Sequence, residues 1–297
     1  MLKQSLLLFA RSSVDKGLAD PDNLCKLISR PGSLAASWAY FDDLVFGLTL
    51  EGPTLIDARN DRPIQQYDSV YFRYWAMQEG HANAAARICQ LLGVPFIDNE
   101  TIRAGSRNKM SQYVILHEAG IPIPKTLMSM VPNIKKYYKT AGFTFPFIMK
   151  DKSGSRGQGN FLVHNEADID KIGRENPDRT FIVQEYIPND GDYRVMVVGG
   201  EVKMVIHRRA VEGSHLNNIS QGGSAALVEP GDLPDALLEI SIKAAALFGR
   251  DVAGVDMVYS QKDNKFYCFE VNRSPQIEHA SFQAEKAALL SDYLASL

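Results

Sequence analysis

The sequence predicts a mixed architecture: an α/β layer at the N-terminus, then an α+β part built from hairpins and single helices. Three observations predict it. Apolar strand-like runs alternate with helix-like stretches as far as Ile97, the pattern of a largely parallel sheet with covering helices. From Phe145 onward the pattern changes to paired strands joined by glycine turns. The length, 297 residues, corresponds to about two domains and suffices for several buried cores.

The elements follow in order. Leu6–Phe9 is an apolar run that stops at Arg11, short of a signal-peptide core, and reads as the first strand. Further strands are expected at Leu44–Leu48, Val70–Trp75 and Val94–Ile97, with helices at Asp22–Ile28 and Glu79–Leu92. The second helix stops at Leu92-Gly93 before the extended Val94-Pro95. Residues 106–121 form a helix ended by Ala119-Gly120 and the prolines of Ile121-Pro-Ile-Pro124. Phe147–Lys150 and Phe161–Val163 are strands around a glycine-rich loop, and Phe181–Ile187 is a strand that ends at Pro188. Tyr193–Val198 and Glu201–Ile206 flank Gly199-Gly200, a two-residue hairpin signal. A two-residue turn there sets Asp192 opposite His207 and Arg194 opposite Val205, with Arg209 on that face and Arg208 on the other. His207 then reads as a partner of Asp192. Pro234–Phe248 is a helix closed by Gly249, Val252–Tyr259 and Lys265–Val271 form a last hairpin, and Ser281–Leu294 is a closing helix.

Composition narrows the function. Hydrophobic residues at 45% and charged residues at 23% exclude a disordered tail, a collagen or a coiled coil. A formal charge of −3 gives no basic footprint for nucleic acid and no polybasic case for a membrane surface. No segment approaches the ~20 apolar residues of a membrane span. Cys25, Cys89 and Cys268 form neither a disulfide framework nor a metal pair, which fits a reducing, cytoplasmic setting.

The most informative feature is a carboxylate pair. Asp256 and Glu270 each lie seven residues from Asp263, so a symmetric hairpin centred there opposes them on one face, and Asn272 shares that face. Like charges across a ladder repel. A divalent cation would relieve them, and oxygen ligands with open positions suit Mg²⁺. A shifted register would instead leave both carboxylates in water. Met149-Lys150 is followed by a loop containing Gly154, Ser155, Gly157 and Gly159. It is not GxxxxGK[ST], and no helix opens after it, so a Walker cradle is excluded. Its backbone N–H groups can still wrap phosphates, with Lys150 at the mouth, or the loop is an ordinary hairpin connection. Gln184-Glu185-Tyr186-Ile187 can offer main-chain groups to an adenine edge or can be a plain core strand. Arg73, Arg103 and Arg273 are each either a carboxylate clamp or a structural arginine. His117-Glu118 is not followed by the second histidine of HExxH, no GxSxG occurs and no GxGxxG opens a helix, which removes the zincin, nucleophile-elbow and dinucleotide readings.

The order of these features resembles the ATP-grasp superfamily, and within it the ribosomal-protein glutamate-ligase-like (RimK-like) branch. The matching run is Lys109, Gly120–Pro124, Met149-Lys150 with its glycine loop, Gln184–Ile187, Gly191-Asp-Tyr-Arg194, Arg208-Arg209, Asn218, Gly222-Gly223, Ala253–Asp256 and Glu270–Pro275. The resemblance implies an ATP-grasp fold preceded by a Rossmann-like α/β domain. The boundaries expected are 1–105 for that domain, 106–187 for the central part with the glycine flap, and 188–297 for the part with the metal site. It implies that Lys109, Lys150 and the flap residues Gly154, Ser155 and Gly157 contact ATP phosphates. Gln184, Glu185, Tyr186 and Ile187 would form the adenine hinge, with Asp192 at the ribose. Arg208 or Arg209 and Asn218 would hold the transferred phosphate. Asp256, Glu270 and Asn272 would hold two Mg²⁺, with Mn²⁺ as an alternative ion. The implied activity is an ATP-dependent carboxylate–amine ligase that works through an acyl phosphate. Its substrates would be an amino acid, a peptide or a protein tail, and a homo-oligomer is compatible. The alternatives are an ATP-grasp kinase of a small molecule and a non-catalytic ATP-binding module; the complete metal triad argues against the latter. The sequence departs from the branch at Asn108, Leu216, Gln221 and Gln276, positions expected near the acceptor and γ-phosphate, which leaves substrate identity open.

Overall fold

A computed structural model describes residues 2–102, 109–151, 159–210, 223–278 and 281–297. Gly154, Ser155, Gly157, Asn218 and Arg103 lie outside the described residues.

Strands β1 (Lys3–Phe9) and β2 (Leu34–Tyr40) run parallel, joined through helices α1 (Arg11–Asp15) and α2 (Pro21–Ile28). Asp20 caps α2 by accepting from Asn23 N at 3.0 Å, and Pro21 starts it. The chain then leaves the sheet for an antiparallel ribbon, β3 (Leu44–Thr49), β4 (Gly52–Asp57) and β5 (Arg62–Pro63). It returns as β6 (Ser69–Arg73), α3 (Glu79–Leu91) and β7 (Phe96–Ile97), completing the parallel order β2-β1-β6-β7. Leu6 and Leu8 pack with Val70 and Phe72 on one face, and Leu7 and Phe9 with Tyr71 on the other. A strand covered on both faces needs an unbroken apolar run, which is what Leu6–Phe9 supplies. Leu44–Leu48 is a strand, as expected, but it belongs to the antiparallel ribbon. The second parallel strand is Leu34–Tyr40, whose Ala-Ala-Ser interior carries little strand signal.

The central part comprises α4 (Lys109–Glu118), β8 (Thr126–Met130), α5 (Val131–Tyr137), β9 (Phe147–Asp151), β10 (Asn160–Val163), α6 (Glu166–Glu175) and β11 (Thr180–Glu185). Its antiparallel sheet has the order β10-β9-β11-β8. Phe147, Met149, Phe181 and Val183 pack against Ile134, Ile169 and Ile172 of α5 and α6. Strand alternation turns Ile148, Lys150, Ile182 and Gln184 to the opposite face. There Ile182 joins the core of the C-terminal sheet with Met257 and Cys268.

That sheet has the order β14-β13-β12-β15-β16. Its elements are β12 (Asp192–Val198), β13 (Glu201–Arg209), β14 (Ser224–Val228), α7 (Asp235–Phe248), β15 (Val252–Ser260) and β16 (Lys265–Asn272). Helix α7 covers one face through Leu237, Ala244, Ala245 and Phe248. The last helix, α8 (Gln283–Ser296), crosses to the N-terminal layer, where Ala287, Leu290 and Leu294 share a core with Leu7, Phe9 and Tyr71. Its Phe282 and Leu289 flanks also meet Met196, Met204 and Ile206 of the C-terminal sheet. Among the described residues no helix is long and apolar enough to cross a membrane.

Both hairpins of the C-terminal sheet carry a one-residue bulge. Gly199 and Gly200, at φ +61° and +81°, make the expected turn between β12 and β13. The register then slips between Met196 and Val197, because Lys203 is left unpaired, so Asp192 lies opposite Arg208 and Tyr193 opposite His207. This corrects the expected Asp192–His207 and Arg194–Val205 pairings: Arg208, not His207, shares the face of Asp192. In the β15–β16 hairpin the ladder starts at Ser260–Lys265, and Phe269 is the unpaired residue. Without that bulge Asp256 would face Phe269. With it, Asp256 faces Glu270, and Gly254 faces Asn272.

Candidate nucleotide and metal site

One face of the C-terminal sheet gathers Asp192 and Arg194 from β12, Arg208 from β13, Asp256 from β15, and Glu270 and Asn272 from β16. Arg194 grips Asp256 with its fork, Nε to Oδ1 and Nη2 to Oδ2 at 2.9 Å. Arg208 bridges two acids: it donates from Nε to Asp192 Oδ1 at 2.8 Å and from Nη2 to Asp192 Oδ2, and Nη2 also reaches Asp256 Oδ1 at 3.0 Å. Asn272 Nδ2 donates to Asp256 Oδ2 at 3.3 Å and to Gly254 O at 3.2 Å. Gly254 lies at a close approach: a Cβ there would stand 3.0 Å from Arg194 Cδ and 3.2 Å from Pro275 Cβ, so those side chains would have to give by a few tenths of an ångström.

Electrostatics follow from this packing. Burial pushes the Asp256 carboxyl up, but Arg194 and Arg208 outweigh it and hold the group below its ordinary value. Asp192 goes the other way, because its burial is only partly offset by Arg208. Asp256 is therefore a committed anion, and the arginines relieve its conflict with Glu270 across the ladder.

The opposing wall carries lysines. Lys109, at the start of α4, has its Nζ 3.9 Å from Glu270 Oε1. Lys150 is half-buried on β9; it donates to Gln184 Oε1 at 2.7 Å and lies 5.1 Å from the centre of the Phe269 ring. Gln184 is itself fixed by donating to Thr126 Oγ1 at 3.1 Å, so it orients the lysine. Burial, then the charge of Lys109, pushes the Lys150 amine down to about 8, against the pull of Glu270 and Asp256. The bulge that opposes the carboxylates thus also sets Phe269 against this lysine. Glu185 Oε1 accepts from Lys125 N at 2.8 Å, and Ile187 O accepts from Asn189 Nδ2 at 2.8 Å, which shapes the strand end at Glu185–Ile187. Tyr186 is half-buried there, and Arg209 is exposed at the end of β13.

His207 takes no part in this face. It stacks on Tyr193 with ring centres 4.6 Å apart. Arg73 is a structural arginine: it is fully buried, and its Nη2 donates to both oxygens of Glu278, at 3.2 and 3.0 Å. Arg273 pairs with Glu100 at 3.4 Å and lies over Trp75. The residue whose weight sequence reasoning missed is Arg194. The Asp-Tyr-Arg spacing puts it on the face of Asp192, and the strand order β12–β15 brings it to Asp256.

The donors present are hard oxygens, with no sulfur or imidazole among them, which fits Mg²⁺. Among the described residues no three His, Cys, Asp or Glu side chains converge. Asp256, Glu270 and Asn272 could hold such an ion with two carboxylates and an amide, which would leave coordination positions for phosphate oxygens and water.

Residues 106–291 match the family model described as the RimK-like ATP-grasp domain. The chain is 30% identical over 236 residues to a probable alpha-L-glutamate ligase of Psychromonas ingrahamii, covering 78% of this chain and 76% of that one. It is 29% identical over 222 residues to a protein of the same description from a Marinomonas species, covering 73% and 72%. Among solved structures, the ATP-grasp ligase PsnB complexed with a minimal precursor superposes with a TM-score of 0.70 at 16% identity, over 99% of this chain and 98% of that one. The macrocyclase MdnC of Microcystis aeruginosa, bound to its precursor peptide MdnA, gives 0.66 at 15% identity over 100% of both chains.

Proposed function

Because the chain belongs to the RimK-like ATP-grasp family, we propose that it joins a carboxylate to an amine at the expense of ATP, forming an amide and releasing ADP and phosphate. The observation that carries this reading is the Asp256–Glu270 pair with Asn272 on the same face, set across from Lys109 and Lys150. Such a site neutralises and aligns phosphates and supplies no protein nucleophile, which suits phosphoryl transfer. The carboxylate oxygen of one substrate attacks the γ-phosphorus of ATP, and the bond to the β-phosphate oxygen breaks. The nitrogen of the second substrate then attacks the acyl phosphate carbon, phosphate leaves, and the nitrogen loses a proton.

Lys150, held by Gln184, and Lys109 seat the phosphates. Glu185 to Ile187 receive the adenine. Gly154, Ser155 and Gly157 would contact the phosphates, Asn218 with Arg208 or Arg209 would hold the transferred group, and Asp192 would lie near the nucleotide at the ribose. Asp256, Glu270 and Asn272 would hold Mg²⁺, two ions in this reading and replaceable by Mn²⁺, which would offset the charge of the phosphates. The expected setting is the cytoplasm. The parts are read as 1–105, 106–187 and 188–297. The acceptor is an amino acid, a peptide or a protein tail: the relatives are described as glutamate ligases, and two of the solved structures hold precursor peptides.

The test is to incubate the protein with ATP, Mg²⁺ and a pool of amino acids and peptides and to search by mass spectrometry. ADP together with products lighter than the summed substrates by one water supports the reading. A stable phosphoester would make it a kinase, and ATP binding without turnover would leave only a binding module.

A further inference from the structure

Strand β16 ends the sheet order β14-β13-β12-β15-β16, so among the described residues one of its edges meets no strand. Helix α4 and the turn after it take that edge. Tyr113 donates its hydroxyl to Phe269 O at 2.8 Å, and Cys268 N donates to Pro122 O at 2.8 Å. Phe269 is the unpaired residue of the bulge, so the helix holds the carbonyl of the very residue that the ladder skips. Tyr113, 4% exposed, and Leu116 share a core with Met257, Cys268 and Val271, which fixes α4 against the strand. Lys109 stands four residues before Tyr113, so one face of α4 presents both, the amine toward Glu270 at 3.9 Å and the hydroxyl to Phe269 O. Burial, then the charge of Glu270, pushes the Tyr113 phenol up, so it stays a donor.

The place of the bulge decides the site. Met257 pairs with Cys268 and Asp256 with Glu270, with Phe269 between. A bulge one residue further along would set Phe269 opposite Asp256 and leave Glu270 unpaired. That slip would carry the Phe269 carbonyl off the Tyr113 hydroxyl and cost a buried donor its acceptor.

We propose that Tyr113 is a positioning residue for the metal site: its hydroxyl pins the bulge at Phe269 and so keeps Glu270 opposite Asp256. The inference rests on the ligase reading above, in which those carboxylates would hold Mg²⁺, and adds to it a residue of the central part that acts through the strand.

The test uses the full chain saturated with the non-hydrolysable nucleotide AMPPNP, with Mn²⁺ as the metal probe and bound Mn²⁺ read by electron paramagnetic resonance. Tyr113→Phe removes only the hydroxyl. It should weaken Mn²⁺ by about tenfold or more, the range for losing a group that orients a metal ligand, while AMPPNP affinity in EDTA stays unchanged. In a Glu270→Ala background the metal has already lost the ligand that Tyr113 positions, so Tyr113→Phe should have almost no further effect on Mn²⁺. A tyrosine that only supported the fold would show the same loss in both backgrounds, or none in either. If Tyr113→Phe does not fold, Tyr113→Met is read in its place. If Glu270→Ala weakens Mn²⁺ but Tyr113→Phe does not, or weakens it equally with and without Glu270, the pin is wrong and the ligase reading stands. If Glu270→Ala leaves Mn²⁺ affinity unchanged, the metal reading fails and the pin fails with it.

Discussion

The β12–β13 and β15–β16 hairpins sit side by side in one sheet, and each contains one unpaired residue: Lys203 in the first and Phe269 in the second. In the first, the bulge takes His207 away from Asp192 and brings Arg208 to it. In the second, it turns Asp256 from Phe269 to Glu270. A shift of one residue moves a whole set of side chains to the other face or to a new partner. The comparison teaches that this charge site is assembled by two register shifts as much as by the residues themselves.

The comparison breaks most readily at the carboxylates. Glu270→Ala should lower turnover by about 10³-fold or more while circular dichroism shows an intact fold; Asp256→Ala should lower turnover as much and also cost stability, because it leaves Arg194 and Arg208 without their shared partner. Retained activity in Mg²⁺ would mean that the second bulge has no role in chemistry. Arg208 tests the first bulge. Removing it leaves Asp192 and part of Asp256 buried without their partner, and Arg208→Met should destabilise by about 3–5 kcal/mol in urea unfolding. Arg208→Lys should recover part of that loss but not the fork geometry.

A subtler effect concerns the lysine that faces Phe269. ATP favours the charged form of Lys150, and in the free protein that form is lost as pH rises through about 8. Nucleotide binding should therefore take up a proton above pH 8, with affinity falling by up to about tenfold per pH unit between there and the ordinary lysine range. Calorimetry in buffers of different ionisation heat reads the uptake, and Lys150→Met should abolish it. The same shift makes folding stability rise with pH over that window, because the unfolded lysine holds a proton that the folded one has released. The smallest effect belongs to the displaced partner. His207→Ala loses its stack on Tyr193, about 1 kcal/mol, and leaves the KM for ATP unchanged. A large rise in KM would restore the Asp192–His207 pairing expected from the two-residue turn alone.

What the sequence made legible follows the same physics. Elements with a strong local signal stand where they were expected: α7 closes at Gly249, the β12–β13 turn falls at Gly199-Gly200, and the apolar run Leu6–Phe9 lies within β1. The acid pair was legible because a hairpin centred on Asp263 happens to give the register that the Phe269 bulge creates. Nothing in the residue types marks Lys203 or Phe269 as unpaired, since a bulge is settled by twist and by packing on both faces, not by local preference. For the same reason the fork of Arg194 on Asp256 depends on a strand order, β12 beside β15, that no local pattern encodes. Leu34–Tyr40 was missed because its middle residues are small and half-exposed.

The path of the closing helix has a consequence for how the protein is made. Leu7, Phe9 and Tyr71 share their core with Ala287, Leu290 and Leu294. As the chain leaves the ribosome, the first sheet can receive α3 on one side soon after Leu91 is synthesised. The other side meets Leu24 and Ile28 of α2 early but waits for α8 to be completed, a delay of order 10–40 s at ~5–20 residues/s. The N-terminal layer is therefore begun first and completed late, and a chain truncated before α8 would leave the part of that apolar side not covered by α2 open to chaperones and proteases.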